Sequence, residues 1–241
     1  MSGIQLDNAM CTVTLYCHSE TEFVLTSNRD ESPNRTSVPP DFYEEDGVRL
    51  LYPKDQVAGG TWIGVADQNR AVCLINGAFG PYDIHHDYPK SRGNVVKAML
   101  IADDVELTMR TMDLSGVAPF TLVVVDWSKA LTIYQWIWDG QATYLKVLPK
   151  GVYIWSSAML YDAQMRSERH TWFETFKATY ALSARSLLAF HTSKTTPKTH
   201  GIVMDRGVVK TTSITQITKT DHNLVMYYKD LLNHDTCQVV F

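Results

Sequence analysis

Cysteine is scarce in this sequence of 241 residues, which contains only four. Cys11, Cys17, Cys73 and Cys237 stand singly, without a CxxC pair or the dense spacing that is typical of small secreted domains. We therefore expect no structural disulfides.

Histidine clusters are equally rare, since His85 and His86 form the only adjacent pair. The pair lies in a polar stretch and has no Cys or His partner at zinc-finger spacing. We therefore expect no bound metal.

The sequence also lacks an excess of basic charge and long apolar runs. Its 22 Lys and Arg against 26 Asp and Glu give a net charge of −4, so nucleic acid is not an expected partner. The longest apolar stretch, residues 120–125, is far shorter than the roughly 20 residues of a membrane span. Residues 1–10 are too short and polar for a secretory signal. We expect a soluble, cytoplasmic protein without a membrane span.

What the sequence does contain is the composition of an ordinary globular protein, with 45% hydrophobic and 20% charged residues. No linker, internal repeat or low-complexity tract divides it. We interpret residues 11–241 as one domain and residues 1–10 as a leader or a misassigned start. The oligomeric state is left open.

Alternating apolar and polar residues predict two hairpins in the first part of the chain, formed by residues 11–17 with 23–27 and residues 61–65 with 70–75. Residues 32–40, rich in Pro, Ser and Asn, are predicted to form a loop.

Helical periodicity appears at residues 91–102, 105–112, 162–178 and 184–191. Further strands are predicted at residues 119–127, 131–138, 152–156, 202–204, 208–217, 223–228 and 236–240. Strands this apolar need both faces covered, whereas each helix offers a single apolar stripe. The order β, α, β, α, β therefore predicts a layered α/β sandwich, with two sheets covered by helices.

Four short motifs occur in a fixed order along the chain. They are Met10-Cys11, Asn28-Arg29-Asp30-Glu31, Gly59-Gly60-Thr61-Trp62-Ile63-Gly64 and Leu74-Ile75-Asn76. Together they resemble the NRDE family, named for its Asn-Arg-Asp-Glu run, which includes the transport-and-Golgi-organization proteins. Residues 155–173 and 212–216 also resemble segments of that family.

The family is similar to cysteine N-terminal-nucleophile hydrolases of the choloylglycine hydrolase and penicillin V acylase type. This resemblance implies an α+β fold, the four-layer αββα sandwich, and a catalytic cysteine exposed by removal of the preceding methionine. Cys11 corresponds to that residue, and its own α-amine would act as the base for its thiol. A free amine at Cys11 requires either that translation starts at Met10 or that residues 1–10 are removed.

Two residues of the Asn-Arg-Asp-Glu run are candidates for the catalytic site. Asp30 lies nineteen residues after Cys11, as does the aspartate that contacts the terminal amine in the acylases. The same residues also fit a polar strand end or turn. Arg29 is the less secure candidate, because strand alternation points it away from the face shared by Asn28 and Asp30. It fits a structural pair with a carboxylate equally well.

Other candidates come from the resemblance and from the residue types. Asn76, at a strand end before Gly77, matches the acylase asparagine that stabilises an oxyanion, although it also fits an Asx turn. The second acylase asparagine is absent, and Ala158 cannot replace its donor. Any replacement must come from Ser156, Ser157 or a backbone amide. The residues predicted to contact the substrate are Trp62, Ser156 and Arg169. Arg166 and Arg169 are candidate anion contacts for a substrate or for Asp30, although helix arginines are more commonly solvated.

Three functions are compatible with these residues. The first is an amidohydrolase that cleaves a non-peptide C–N amide through a Cys11 thioester, without metal or organic cofactor. The second is a non-catalytic protein on the same fold that binds a small apolar ligand such as a lipid or haem. The third is a glutamine-amidotransferase-like domain, which is less favoured because this sequence has no second catalytic domain to receive ammonia.

Overall fold

The computed structural model describes residues 10–83, 86, 88–194 and 198–241, and of Met10 and Cys11 it describes the backbone alone. The proposed leader before Met10 and His85 of the histidine pair lie outside the described residues. The strands are β1 (Met10–Cys17), β2 (Phe23–Glu31), β3 (Ser37–Glu45), β4 (Val48–Asp55), β5 (Ile63–Ala66), β6 (Arg70–Asn76), β7 (Phe120–Asp126), β8 (Thr132–Trp138), β9 (Thr143–Leu148), β10 (Gly151–Ser156), β11 (Lys210–Lys219), β12 (Leu224–Asp230) and β13 (Thr236–Val240). The helices are α1 (Arg92–Ile101), α2 (Val105–Thr111), α3 (Ala163–Thr179) and α4 (Ala184–Thr192).

The first sheet has six antiparallel strands in the order β10, β1, β2, β11, β12, β13. Across β1 and β2, Met10 lies opposite Asp30 and Cys11 opposite Arg29. The predicted hairpin is correct but too short, because β2 continues through the Asn-Arg-Asp-Glu run to Glu31. All nine residues of β2 are buried, which is why apolar alternation alone does not mark its end.

The second sheet has seven antiparallel strands in the order β3, β4, β5, β6, β7, β8, β9. The predicted loop at residues 32–40 is wrong for residues 37–40, which belong to β3. This strand lies at the edge of the sheet, and Pro39 and Pro40 lie where its register shifts between Val38 and Asp41. Proline is tolerated at such an edge irregularity, because the strand needs no N–H donor there.

Four helices cover the two sheets, and all four agree with the sequence prediction to within about one residue. Each begins at a side chain that caps a backbone N–H, namely Ser91, Asp104, Asp162 and Ser183. Helix α1 packs on β5 and β6, whereas α3 and α4 pack on the first sheet. The sheets contact each other through β1 and β6, which confirms the four-layer αββα sandwich.

The described residues form one large hydrophobic cluster and two smaller ones. The large cluster lies between the sheets and continues beneath α1, and it includes Val13 and Leu15 of β1. Phe173, Leu187 and Ile202 belong to a smaller cluster on the helical side of the first sheet. The smallest contains Met204 and Val209. The strand predicted at residues 202–204 is wrong, since these residues form no strand and Ile202 packs beneath the helices instead. The following strand begins at Lys210, two residues later than predicted.

Candidate functional site

The Asn-Arg-Asp-Glu run is fully embedded in the sandwich. All four side chains are at most 2% exposed, and successive side chains alternate between the faces of β2 as strand geometry requires. The side chains of Asn28 and Asp30 lie on the face of the first sheet that the helices cover. Arg29 and Glu31 face the second sheet, where Arg29 meets Asp55 at the end of β4. Every member of this run therefore has a defined structural partner.

Asp30 is a buried carboxylate with a donor on each oxygen. The Tyr161 hydroxyl donates to Oδ2 at 2.8 Å, and the Thr211 hydroxyl donates to Oδ1 at 2.6 Å. Burial raises the pKa of Asp30 to about 6, and the positive charge of Arg169 together with these two hydrogen bonds offsets part of that rise. Around neutral pH the carboxylate is thus ionised but close to its titration range.

Arg169 connects Asp30 to the start of β1. Its guanidinium carbon lies 3.6 Å from the centroid of the Tyr161 ring. It donates hydrogen bonds to Oγ1 of Thr12 and, at 2.5 Å, to the carbonyl oxygen of Gly201. The interpretation of Arg169 as a solvated helix arginine is wrong, because the side chain is 0% exposed. It supplies positive charge beside Asp30 within the protein.

Arg29 forms a structural ion pair, one of the two roles open from the sequence. Its Nη2 atom lies 2.6 Å from Oδ2 of Asp55, and Arg35 donates to the same oxygen from Nε at 2.9 Å. The Arg29 guanidinium also lies 4.8 Å from the ring centroid of Trp62. Trp62 is 6% exposed and belongs to the inter-sheet core, so its ring supports Arg29.

His191 is a site neighbour that the sequence analysis missed. Its Nδ1 lies 2.6 Å from Oδ1 of Asn28, and its Nε2 lies 2.8 Å from Oγ1 of Thr14. Because an amide oxygen can only accept, Nδ1 carries the proton and Nε2 accepts from the threonine. Complete burial, together with the charge of Arg169, lowers the pKa of His191 to about 3. The sequence contains no signature to show that a single histidine at the end of a helix forms hydrogen bonds with both Asn28 and Thr14 as a neutral imidazole.

A cavity of about 510 Å³ lies at the edge of the sandwich beside β10, between residues of β6, β7 and β8 in the second sheet and residues of β10 and α3. Ser156 lines it and lies opposite Thr12, the residue after Cys11. Trp155 also lines it and donates from Nε1 to Oε1 of Gln135 at 3.3 Å, which joins the two sheets.

Asn76 is adjacent to this cavity and ends β6. The next residue, Gly77, lines the cavity, and the carbonyl oxygen of Asn76 accepts a 2.7 Å hydrogen bond from the Ser157 hydroxyl. The cavity therefore lies beside the ends of β6 and β10 and near the start of β1. Among the described residues that line it, Asn76, Trp62 and Arg169 do not appear.

Neither a metal site nor a membrane-spanning helix is found in the described part of the chain. It contains no group of three or more His, Cys, Asp or Glu arranged to hold a metal ion. No helix within the described ranges is long and apolar enough to cross a membrane.

Two sheets enclosed by helical layers define the class of fold of this protein, which is that of the N-terminal-nucleophile hydrolases. The penicillin V acylase of Agrobacterium tumefaciens matches at TM-score 0.53 and 9% identity, covering 96% of this chain and 86% of that chain. A single-residue variant of the conjugated bile acid hydrolase of Clostridium perfringens matches at TM-score 0.53 and 10% identity, covering 95% and 92%. The Caenorhabditis elegans ortholog of N-acylethanolamine-hydrolyzing acid amidase matches at TM-score 0.51 and 11% identity, covering 86% and 92%.

Within that class, the chain belongs to the Transport and Golgi organisation 2 family, whose model matches residues 10–226. This confirms the family identified from the sequence motifs. No curated protein sequence matches the chain.

Proposed function

We propose that the protein is a cysteine amidohydrolase whose active form begins at Cys11 and cleaves a linear, non-peptide C–N amide. The observation that carries this proposal is the register of β1 and β2, which sets Met10 opposite Asp30. Cutting the peptide bond between residues 10 and 11 creates an α-amine one residue from a buried carboxylate. A charge-assisted contact with Asp30 then holds that amine in place.

The backbone position of Cys11 in β1 suits this reaction. Cys11 is paired with Arg29 across β1 and β2, and the next residue, Thr12, lies opposite Ser156, which lines the 510 Å³ cavity. A free backbone amine at Cys11 would be within reach of Asp30. One residue thus supplies both the nucleophile and its base.

The reaction proceeds in two balanced steps. The Cys11 sulfur forms a bond to the amide carbonyl carbon while its proton passes to the α-amine. The C–N bond then breaks, and the leaving amine takes that proton. Water next adds to the thioester and gives up a proton to the α-amine, the C–S bond breaks, and a carboxylic acid leaves as the thiol is restored. The Asn76 side chain and a backbone N–H stabilise the oxyanion in both steps.

The test compares the chain that starts at Met1 with a chain that a site-specific protease has trimmed to start at Cys11. Acetyl, octanoyl and phenylacetyl para-nitroanilides are the probes, and released para-nitroaniline is measured. We expect turnover only by the trimmed chain, with a loss of at least about hundredfold in Cys11→Ala. Cys17→Ala is the matched control, because Cys17 is a buried thiol of the same strand.

Thiol reactivity gives a second readout that does not depend on the choice of probe. A short iodoacetamide pulse followed by mass spectrometry should alkylate Cys11 of the trimmed chain faster than the partly exposed Cys237. Absence of turnover, together with Cys11 alkylation no faster than that of Cys237, would exclude the hydrolase. We place the activity in the cytoplasm, where the free thiols of Cys17 and Cys73 remain reduced.

A second candidate function is the binding of an apolar ligand without catalysis. A cavity of 740 Å³ between α3 and α4 favours it, with a lining that includes Trp172, Phe176, Tyr180 and Phe190. The test titrates the full chain with a dansylated fatty acid and follows its fluorescence. Binding that is weakened by Tyr180→Ser, a change at an exposed ring, would support this function. Unchanged fluorescence on addition of the full chain would reject it.

A further inference from the structure

The 510 Å³ cavity beside β10 has a pronounced bias in charge. Its basic lining residues, Arg166 and His170, come from neighbouring turns of α3, and no described residue that lines it is an Asp or Glu. The remainder of the lining is apolar or neutral polar. The apolar part includes Ile75, Ile137, Ile154, Trp155 and Phe79. A cavity of mixed polarity with a guanidinium on one side and no lining carboxylate complements a small molecule that carries a negative charge.

Arg166 is the cation that dominates this bias. Its Nη1 donates a long 3.3 Å hydrogen bond to the carbonyl oxygen of Phe79. In the described part of the chain no carboxylate forms an ion pair with Arg166. His170, in contrast, lies 3.6 Å from Oε1 of Glu174. Most donors of the Arg166 guanidinium are therefore available to a ligand, and its planar fork suits a carboxylate in bidentate geometry.

The neighbouring arginine of the same helix differs sharply from Arg166. Arg169 is 0% exposed and is held by Thr12, Gly201 and the Tyr161 ring. Arg166 lies three positions before Arg169 in the same helix, and it lines the cavity that Ser156 and Gly77 also line. Only one of the two arginines is thus placed to contact a ligand.

We propose that this cavity selects small amides bearing a carboxylate, and that Arg166 is the residue which binds that carboxylate. This inference rests on the proposed amidohydrolase, since the same cavity would hold the scissile amide. A volume of about 510 Å³ lies in the lower half of the usual range of about 300–1,000 Å³ for ligand sites, which favours short acyl and amine groups. Arg166 acts as a specificity residue and takes no part in the bond changes.

The experiment uses two matched pairs of amides with the trimmed chain that starts at Cys11. Phenylacetylglycine and phenylacetylglycinamide differ in charge on the amine side. Glutaryl and pentanoyl para-nitroanilide differ in charge on the acyl side. We expect kcat/KM to favour the anionic member of at least one pair, and Arg166→Gln to reduce that preference by about tenfold, as for loss of one charge-assisted contact.

The matched control is Arg110→Gln, which removes an exposed arginine of α2 that pairs with Glu106 and lines neither this cavity nor the one between α3 and α4. It should leave the preference unchanged, and thermal unfolding of both variants checks that they are folded. Equal rates for charged and neutral members in the parent chain would overturn the proposal. So would a preference that survives Arg166→Gln.

A binding measurement distinguishes failure of the proposed carboxylate site from failure of the proposed hydrolysis. If no probe is hydrolysed, calorimetric titration of the full chain with phenylacetylglycine replaces the kinetic readout. Binding that is about tenfold weaker in Arg166→Gln and unchanged in Arg110→Gln would retain the anion site without the reaction. Absence of binding by the parent chain would reject the anion site, whereas the hydrolase is decided separately by turnover and by the alkylation of Cys11.

Discussion

Tyr161 and Asp30 lie 131 positions apart in the sequence and are joined by a 2.8 Å hydrogen bond, in which the tyrosine hydroxyl donates to Oδ2 of the carboxylate. Both side chains are 0% exposed. The bond ties the segment before α3 to the end of β2, beside the position where the proposed catalytic amine would form. We therefore expect this hydrogen bond to affect both the position and the pKa of the Asp30 carboxylate.

Replacing Tyr161 with Phe should destabilise the protein. The variant leaves Oδ2 of Asp30 buried without its donor, which costs about 2 kcal/mol of unfolding free energy at pH 8. Urea unfolding measures the difference. The control is Tyr153→Phe, because the Tyr153 hydroxyl bonds the Pro149 carbonyl at an exposed position. Equal stability of the two variants would show that the buried bond contributes nothing.

Asp30 should make stability depend on pH in an unusual direction. Its pKa is raised from 3.8 to about 6 by burial, so the folded protein binds this proton more tightly than the unfolded chain does. The resulting stabilisation is fully present below about pH 4 and is lost as the pH rises through 6, by about 3 kcal/mol in total.

Urea unfolding of the full chain and of Asp30→Asn across this pH range isolates the contribution of Asp30. The stability of the full chain relative to the variant should fall as the pH rises. In a chain trimmed to start at Cys11 the same dependence should be smaller, because a nearby ammonium lowers the pKa of Asp30. A pH dependence identical in both chain lengths would argue against contact between Asp30 and the new amine.

His191 should act in the opposite direction. Burial lowers its pKa from 6.5 to about 3, so the unfolded chain binds this proton more tightly. The stabilisation is present above about pH 6.5 and is lost as the pH falls towards 3. Relative to His191→Gln, the full chain should lose about 2 kcal/mol between pH 6.5 and pH 5. The control is His170→Gln at an exposed position, and a loss of equal size there would contradict the assignment.

Replacing Arg29 with Met should reduce stability by about 3 kcal/mol, because it removes the closer partner of the buried Asp55 carboxylate. In the double variant with Asp55→Asn the two costs should not add, since each change already removes the pair. Chemical unfolding of the four proteins gives this coupling. Turnover per folded molecule that falls about hundredfold in Arg29→Met, while Arg35→Met retains it, would instead assign Arg29 to catalysis.

Local signals in the sequence were sufficient for most elements of this fold. Helix α3 begins after Asp162, whose side chain accepts from the backbone N–H of Met165, and such caps are visible in a sequence. The β7 and β8 hairpin is equally clear from its apolar residues. Strands β3, β4 and β9 escaped prediction. The edge strands β3 and β9 are only partly buried, so their side chains do not alternate clearly between apolar and polar. Strand β4 lies inside the second sheet and is buried along most of its length, so it shows no clear alternation either.

The sequence by itself determined most of the elements, the family and the alternation of residues 28–31 between two faces, because these depend on residues close together along the chain. Only the tertiary structure decided what each face meets. Asp30 is held by Tyr161 and Thr211, which are 131 and 181 positions away. Burial of Arg169 and availability of Arg166 likewise depend on which way α3 packs. Local patterns carry no information about such distant partners, because they are chosen when the layers close and exclude water.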